Sequence, residues 1–205
     1  MIAIFSRRLA LFLITLMALC GCLGRSQPTR FYLLQPISSI PAGKTDVEKA
    51  QGMRIGVGPL SIPEYVDRPQ IVTLVGPHEL DLADFDQWSE PLQESVPRTL
   101  GENLSTLLST QHIYLYPWKG SMPIDYQIEV DIIRFDATRG GDAVLNARWT
   151  ILAGDSKEIL VRKHSAVTQE AGGLGYEDLV AAESRLLETL SREMAAAIKS
   201  IAQGK

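Results

Sequence analysis

Hydrolytic or transfer chemistry near neutral pH needs a nucleophile, a proton acceptor beside it and a group that orients both. This 205-residue chain offers three histidines, His78, His112 and His164, far apart in sequence. No Gly-x-Ser-x-Gly, His-Glu-x-x-His or Cys-x-x-Cys pattern ties them to a nucleophile or a metal. Asp81, Asp84, Asp86 and Glu90 read as carboxylates along a loop, but their spacing is not that of a calcium-binding EF-hand, and a solvated turn accounts for them. Gly172-Gly173-Leu174-Gly175 precedes a helical pattern without the Lys-Ser/Thr of a phosphate loop, so it reads as a break between elements. Asn103-Leu104-Ser105 matches a glycosylation sequon but falls inside an expected helix. The residues point to no enzyme, no catalytic residue, no metal site and no non-covalent cofactor.

The two thiols, Cys20 and Cys22, are a different matter. Arg7 and Arg8 precede an apolar run from Leu9 to Leu19 that only Thr15 interrupts. A bilayer-spanning helix takes about 20 apolar residues, so this run is too short to span and reads as a secretory signal. Its end, Leu19-Cys20-Gly21-Cys22, resembles the bacterial lipobox, with Gly21 at −1 and Leu19 at −3 of Cys22. That resemblance implies cleavage between Gly21 and Cys22, with diacylglycerol on the Cys22 thiol and a third, N-linked acyl chain such as palmitate. Residues 1–21 are then the signal peptide, 22–30 a lipidated tether and 31–205 one globular domain. Removal of Arg7 and Arg8, with no acid lost, leaves 18 basic against 24 acidic side chains, a net charge of −6. Such a body does not hold anionic lipid by bulk charge, and it carries no basic block for nucleic acid. The acyl chains must anchor it, at about 0.8 kcal/mol per buried CH₂. Leu23, rather than Asp, follows Cys22. In enteric bacteria that favours the periplasmic face of the outer membrane over the inner membrane.

Phe31 to Leu34, Arg54 to Val57 and Ile71 to Val75 read as strands, with a Ser/Pro/Gly-rich loop from Ile37 to Gly52. Leu92, Val96, Leu100, Leu104 and Leu108 recur every four residues and predict a helix from Pro91 to Thr110, with a late start or a kink at Pro97. Alternation from Tyr126 to Ile132 and from Leu145 to Ile151, with turn signals at 139–142 and 154–157, predicts an antiparallel meander continued by Ile159 to Thr168. A last amphipathic helix spans Tyr176 to Ala202. The expected fold is α+β: a two-layer sandwich whose largely antiparallel sheet is covered on one face by two helices.

The most distinctive stretch is Tyr65-Val66-Asp67-Arg68-Pro69-Gln70. Arg68 can pair locally with Asp67 or clamp a carboxylate on a neighbouring strand. The run reads either as a rigid bend or as a partner-binding surface. Trp88, just before a helix, is likewise either a core lid or an interface anchor. Together, the lipobox, Phe31-Tyr32-Leu33, Gly56-Val57-Gly58-Pro59, Pro63-x-Tyr65-x-Asp67-Arg68-Pro69-Gln70-Ile71-Val72 and Trp88-x-Glu90-Pro91-Leu92 resemble the PqiC/YmbA-type lipoproteins, the ABC-type transport auxiliary lipoproteins. The likeness covers nearly all of the expected mature chain. It implies a non-catalytic envelope subunit partnered with an MCE-domain tunnel protein and an inner-membrane transport component, in lipid transport that supports membrane integrity. A ring-shaped homo-oligomer would match a tunnel. Two other roles stay open: auxiliary lipoprotein of an ABC-type lipid or solvent transporter, and structural or assembly lipoprotein of the envelope.

Overall fold

A computed structural model describes residues 27–38, 52–118, 120 and 122–204. The signal, Gly21, Cys22 and most of the 37–52 loop lie outside that set. The strands are β1 Arg30–Tyr32, β2 Ile55–Ser61, β3 Gln70–Gly76, β4 Glu79–Trp88, β5 Ile113–Leu115, β6 Tyr126–Thr138, β7 Asp142–Ala153 and β8 Ile159–Glu170. The helices are α1 Leu92–Leu108 and α2 Tyr176–Gln203.

Long strand β6 organises the sheet. One edge pairs along its length with β7, antiparallel, and β7 pairs with β8 in the same way. The other edge is shared: the start of β6 takes β2 and its end takes β3, both parallel. Beyond them lie β5 beside β2, and β4 then β1 beside β3. The α+β class with two helices on the sheet is as expected, but the sheet is mixed rather than largely antiparallel. Four of its pairings, β1–β4, β2–β5, β2–β6 and β3–β6, run parallel.

The inward positions of β7, which are Ala143, Leu145, Ala147, Trp149 and Ile151, are buried against the helices, as alternation requires. Leu92, Val96, Leu100, Leu104 and Leu108 of α1 and Leu186, Leu187, Leu190, Met194 and Ile198 of α2 complete the core. The Trp149 indole N–H donates to the Ser165 hydroxyl at 2.8 Å, so its one polar atom is satisfied in the interior. Helix α1 starts at Leu92 and runs through Pro97, so the late start anticipated at Pro97 does not occur. Ser109 closes α1 in the left-handed conformation, φ 52°.

Of the carboxylates expected along a loop, Asp81, Asp84 and Asp86 lie in strand β4, and Glu90 follows it. The strand's Ala83, Asp86 and Trp88 face inward, while Leu80, Leu82 and Phe85 remain exposed. Strand β2 also runs on past Val57 through Gly58-Pro59, with a bulge in its pairing to β6 there. After β1, the chain straps both helices. The Gln35 N–H donates to the Ser184 hydroxyl of α2 at 3.1 Å, and the Ile37 N–H to Asn103 Oδ1 of α1 at 2.8 Å. Asn103 is fully buried and its amide also donates to Ser191, so it serves helix packing.

Candidate functional site

The Tyr65–Gln70 bend joins four elements. Val66 N–H and Asp67 N–H both donate to the Pro63 carbonyl, which makes a tight turn, and Val66 is buried in the core. Helix α1 begins at a proline that supplies no side-chain cap, leaving its first N–H groups without intrahelical partners. Asp67 fills that role from 26 residues away: its Oδ1 accepts the Gln93 N–H at 3.1 Å, and a carboxylate there also suits the positive end of the helix dipole. The Gln93 side chain reaches back and donates to the Leu60 carbonyl at 2.6 Å. On the other side the Trp88 N–H donates to the Pro69 carbonyl at 2.7 Å, and Ser89 N–H to the Tyr32 carbonyl at 2.9 Å. Gln70 opens β3 opposite Gln87. The structure thus brings Tyr65, Asp67, Pro69, Gln70 and Trp88 together as one junction. Trp88 is 6% exposed and packs in the core beneath it.

Under the bend sits a buried acid. The Tyr65 hydroxyl donates to Asp136 Oδ2 at 2.5 Å, and the Arg134 guanidinium forks onto Asp136 with Nε at 3.0 Å and a terminal nitrogen at 2.8 Å from Oδ1. Burial, and then the bond to Asp136, push the Tyr65 hydroxyl well above the usual tyrosine range. Glu183 of α2 is 2% exposed, and its Oε2 has no hydrogen-bond partner. Burial first, and then the Asp136 charge, raise its pKa well above the ordinary carboxyl value. A second cluster ties β1 to β4: Arg30 Nε lies 2.8 Å from Asp86 Oδ1, and the Tyr32 hydroxyl donates to the same oxygen at 2.6 Å. Burial and the Asp86 bond push Tyr32 up to about 12. Burial alone would raise Asp86, but the bonds from Arg30 and Tyr32 outweigh it and lower its pKa.

Arg68 differs from both readings of its partner. Among the described residues it forms no ion pair, neither with Asp67 nor with a strand carboxylate. Its Nε is buried without a hydrogen-bond partner, while the residue as a whole is half-buried.

Sequence reading missed Asp136, Arg134 and Glu183. Glu183 sits three residues after Val180 and three before Leu186, on the apolar stripe of α2, and that placement was the available signal. The histidines are exposed and occupy three places: the β3–β4 turn, the stretch before β5, and the middle of β8. No group of three or more His, Cys, Asp or Glu side chains able to hold a metal occurs among the described residues. No helix among them is long and apolar enough to cross a membrane.

Residues 32–195 match the sequence pattern of the family described as the ABC-type transport auxiliary lipoprotein component. The chain belongs to this family. The match begins in β1 and ends within α2, so it takes in the whole junction. Family membership makes the protein an auxiliary lipoprotein component of a transport system. The same fold occurs in a protein from Xanthomonas campestris at 14% identity and TM-score 0.67, over 85% of this chain and 99% of that one. It occurs as well in an uncharacterized protein at 16% identity and TM-score 0.67, over 84% and 99%. A putative lipoprotein from Caulobacter crescentus is more distant, at 15% identity and TM-score 0.38 over 54% and 85%. No curated protein matches the chain.

Proposed function

We propose that this auxiliary lipoprotein is the outer-membrane docking subunit of an MCE-type intermembrane lipid transport system, anchored by acyl chains on Cys22. The family match over residues 32–195 carries the reading. The body supports it by what it offers: a packed core and a hydrogen-bonded bend at Tyr65–Gln70. From Leu23 to Arg30 the tether spans at most about 30 Å, so the body works beside its membrane and a partner must cross the periplasm. The end of the sheet formed by the start of β6 and the β7–β8 turn carries exposed Tyr116, Met122 and Ile159, apolar surface suited to that partner. Arg68, half-buried on the bend and in no ion pair among the described residues, is the candidate polar contact.

Two measurements test the reading. Affinity capture of the native protein from mild detergent is expected to bring an MCE-domain protein with it. Capture of ABC-transporter subunits without an MCE protein would favour the second reading, an auxiliary lipoprotein of an ABC-type lipid or solvent transporter, which the family description itself supports. In parallel, Cys22→Ala is expected to leave the body folded but mislocalised, absent from the outer-membrane fraction, and unchanged membrane fractionation would contradict the anchor.

A further inference from the structure

A second group of large apolar side chains is exposed at the end of the sheet opposite Tyr116, Met122 and Ile159, and the chain enters at that end. Gln27 and Arg30 line the same depression as Leu82, Phe85, Arg139 and Tyr176. Arg139 stacks over the Tyr176 ring at 5.3 Å, and the next residue, Gly140, lies under the Leu174 side chain. Strand pairing sets Leu80 and Leu82 opposite Leu74 and Val72, and Leu74 in turn beside Thr138, so the tip of the β3–β4 hairpin stands next to the β6–β7 turn. Leu174 is 77% exposed and Val75 64%, with Leu80, Leu82 and Phe85 at about two-fifths. Monomeric surfaces scatter such residues singly, whereas a cluster marks a contact surface.

Chain length decides what covers this surface. Only five residues lead from Cys22 to Gln27, a reach of at most about 18 Å. The 12 residues of β7 carry the opposite end of the sheet about 40 Å away. We infer that Val75, Leu80, Leu82, Phe85 and Leu174 form a membrane-seating face that dips into the surface of a zwitterionic phospholipid leaflet. The inference rests on the lipid anchor at Cys22. Asp81 and Asp84 stand in the depression beside Arg30 and Arg139, so the face carries charges of both signs with no basic excess to select anionic headgroups, which suits a zwitterionic leaflet. Seating of this kind buries apolar side chains about 5–10 Å into the headgroup boundary. It fixes the tilt of the body, which acyl chains on a loose tether do not, and it points the β7–β8 turn away from the bilayer.

The test uses the intact lipidated protein in vesicles of phosphatidylethanolamine and phosphatidylcholine that carry brominated acyl chains. With Cys20 removed and Cys22 alkylated, one introduced cysteine is the only free thiol. Leu174→Cys and, as a control at the far end, Glu158→Cys are labelled with an environment-sensitive fluorophore. Both positions are exposed, so neither change disturbs the core. The Leu174 label is expected to emit to the blue and to be quenched several-fold more than the Glu158 label, as insertion to that depth requires. Equal quenching at the two positions, or a Leu174 label as wet as the control, would overturn the seating face. A blue-shifted but unquenched Leu174 label would overturn it in favour of a protein cover, such as a second copy. Failure of the chain to enter vesicles at all, with a free Cys22 thiol by mass spectrometry, would instead sink the anchor on which the inference rests.

Discussion

Tyr65→Phe removes one oxygen and tests whether the bend is held from below. The lost hydroxyl donates to Asp136 at 2.5 Å, and Asp136 is 2% exposed, so water cannot replace it freely. Hydrogen bonds to charged groups are worth about 1.5–3 kcal/mol each, and a buried acceptor left short costs a similar amount. The Arg134 fork still serves Asp136, which places the expected loss near the lower half of that range, about 1.5–2 kcal/mol. For a body of this size, 1 kcal/mol moves Tm by about 2–4 °C, so thermal denaturation of the variant should fall by about 3–8 °C. The phenyl ring remains, so packing is nearly unchanged and the loss is specific to the hydrogen bond. A double-mutant cycle with Asp136→Asn should recover about 1 kcal/mol or more as coupling. The hydroxyl also sets an alkaline limit. Its folded pKa is raised, so the folded state holds the proton longer, and the contribution is complete below about pH 10 and declines as pH rises above it. Wild type should therefore lose stability above pH 10 more steeply than Tyr65→Phe. A Tm within 1 °C of wild type, or no coupling to Asp136, would refute the structural role assigned to the bend.

Asp67→Ala should cost about 1 kcal/mol through loss of the long-range cap on α1, read by urea denaturation, with Asp67→Asn recovering most of it. Glu183→Gln should stabilise the protein at pH 7 and flatten its stability between pH 4 and pH 7. The wild-type carboxyl has a raised folded pKa, so it favours the folded state below about pH 4.5 and loses that advantage as pH climbs, which a pH series of melts checks. Arg68→Ala should leave Tm within about 2 °C while reducing recovery of the partner in detergent capture several-fold, because its guanidinium makes no internal ion pair. A large drop in Tm with unchanged capture would place Arg68 in the fold alone.

What the sequence made legible was local periodicity. The four-residue recurrence of leucines gave α1, and alternation gave β6 and β7, because each pattern is imposed by the geometry of a single element. Strand β4 escaped because Leu80, Leu82 and Phe85 are exposed among its aspartates while Ala83, Asp86 and Trp88 turn inward, so no period-two apolar face marks it. Its strand character comes from pairing with β3 and β1, which no local pattern encodes. The parallel pairings of β2 and β3 to β6 are long-range and equally silent. At the bend, the residue types were conspicuous, but their partners were not. Asp67 reaches a backbone N–H 26 positions on, Tyr65 an acid 71 positions on, and Glu183 hid inside an otherwise apolar helix stripe.

The shared edge of β6 sets an order of assembly. Strands β6, β7 and β8 can zip from local turns, but β2 and β3 find their seats only after β6 exists, some 70 residues later in the chain. A polypeptide that emerges from its amino end must therefore hold Ile55, Val57, Ile71 and Val72 uncovered until that strand appears. Its first half is exposed to aggregation until then, and that is the interval in which a holdase chaperone would act.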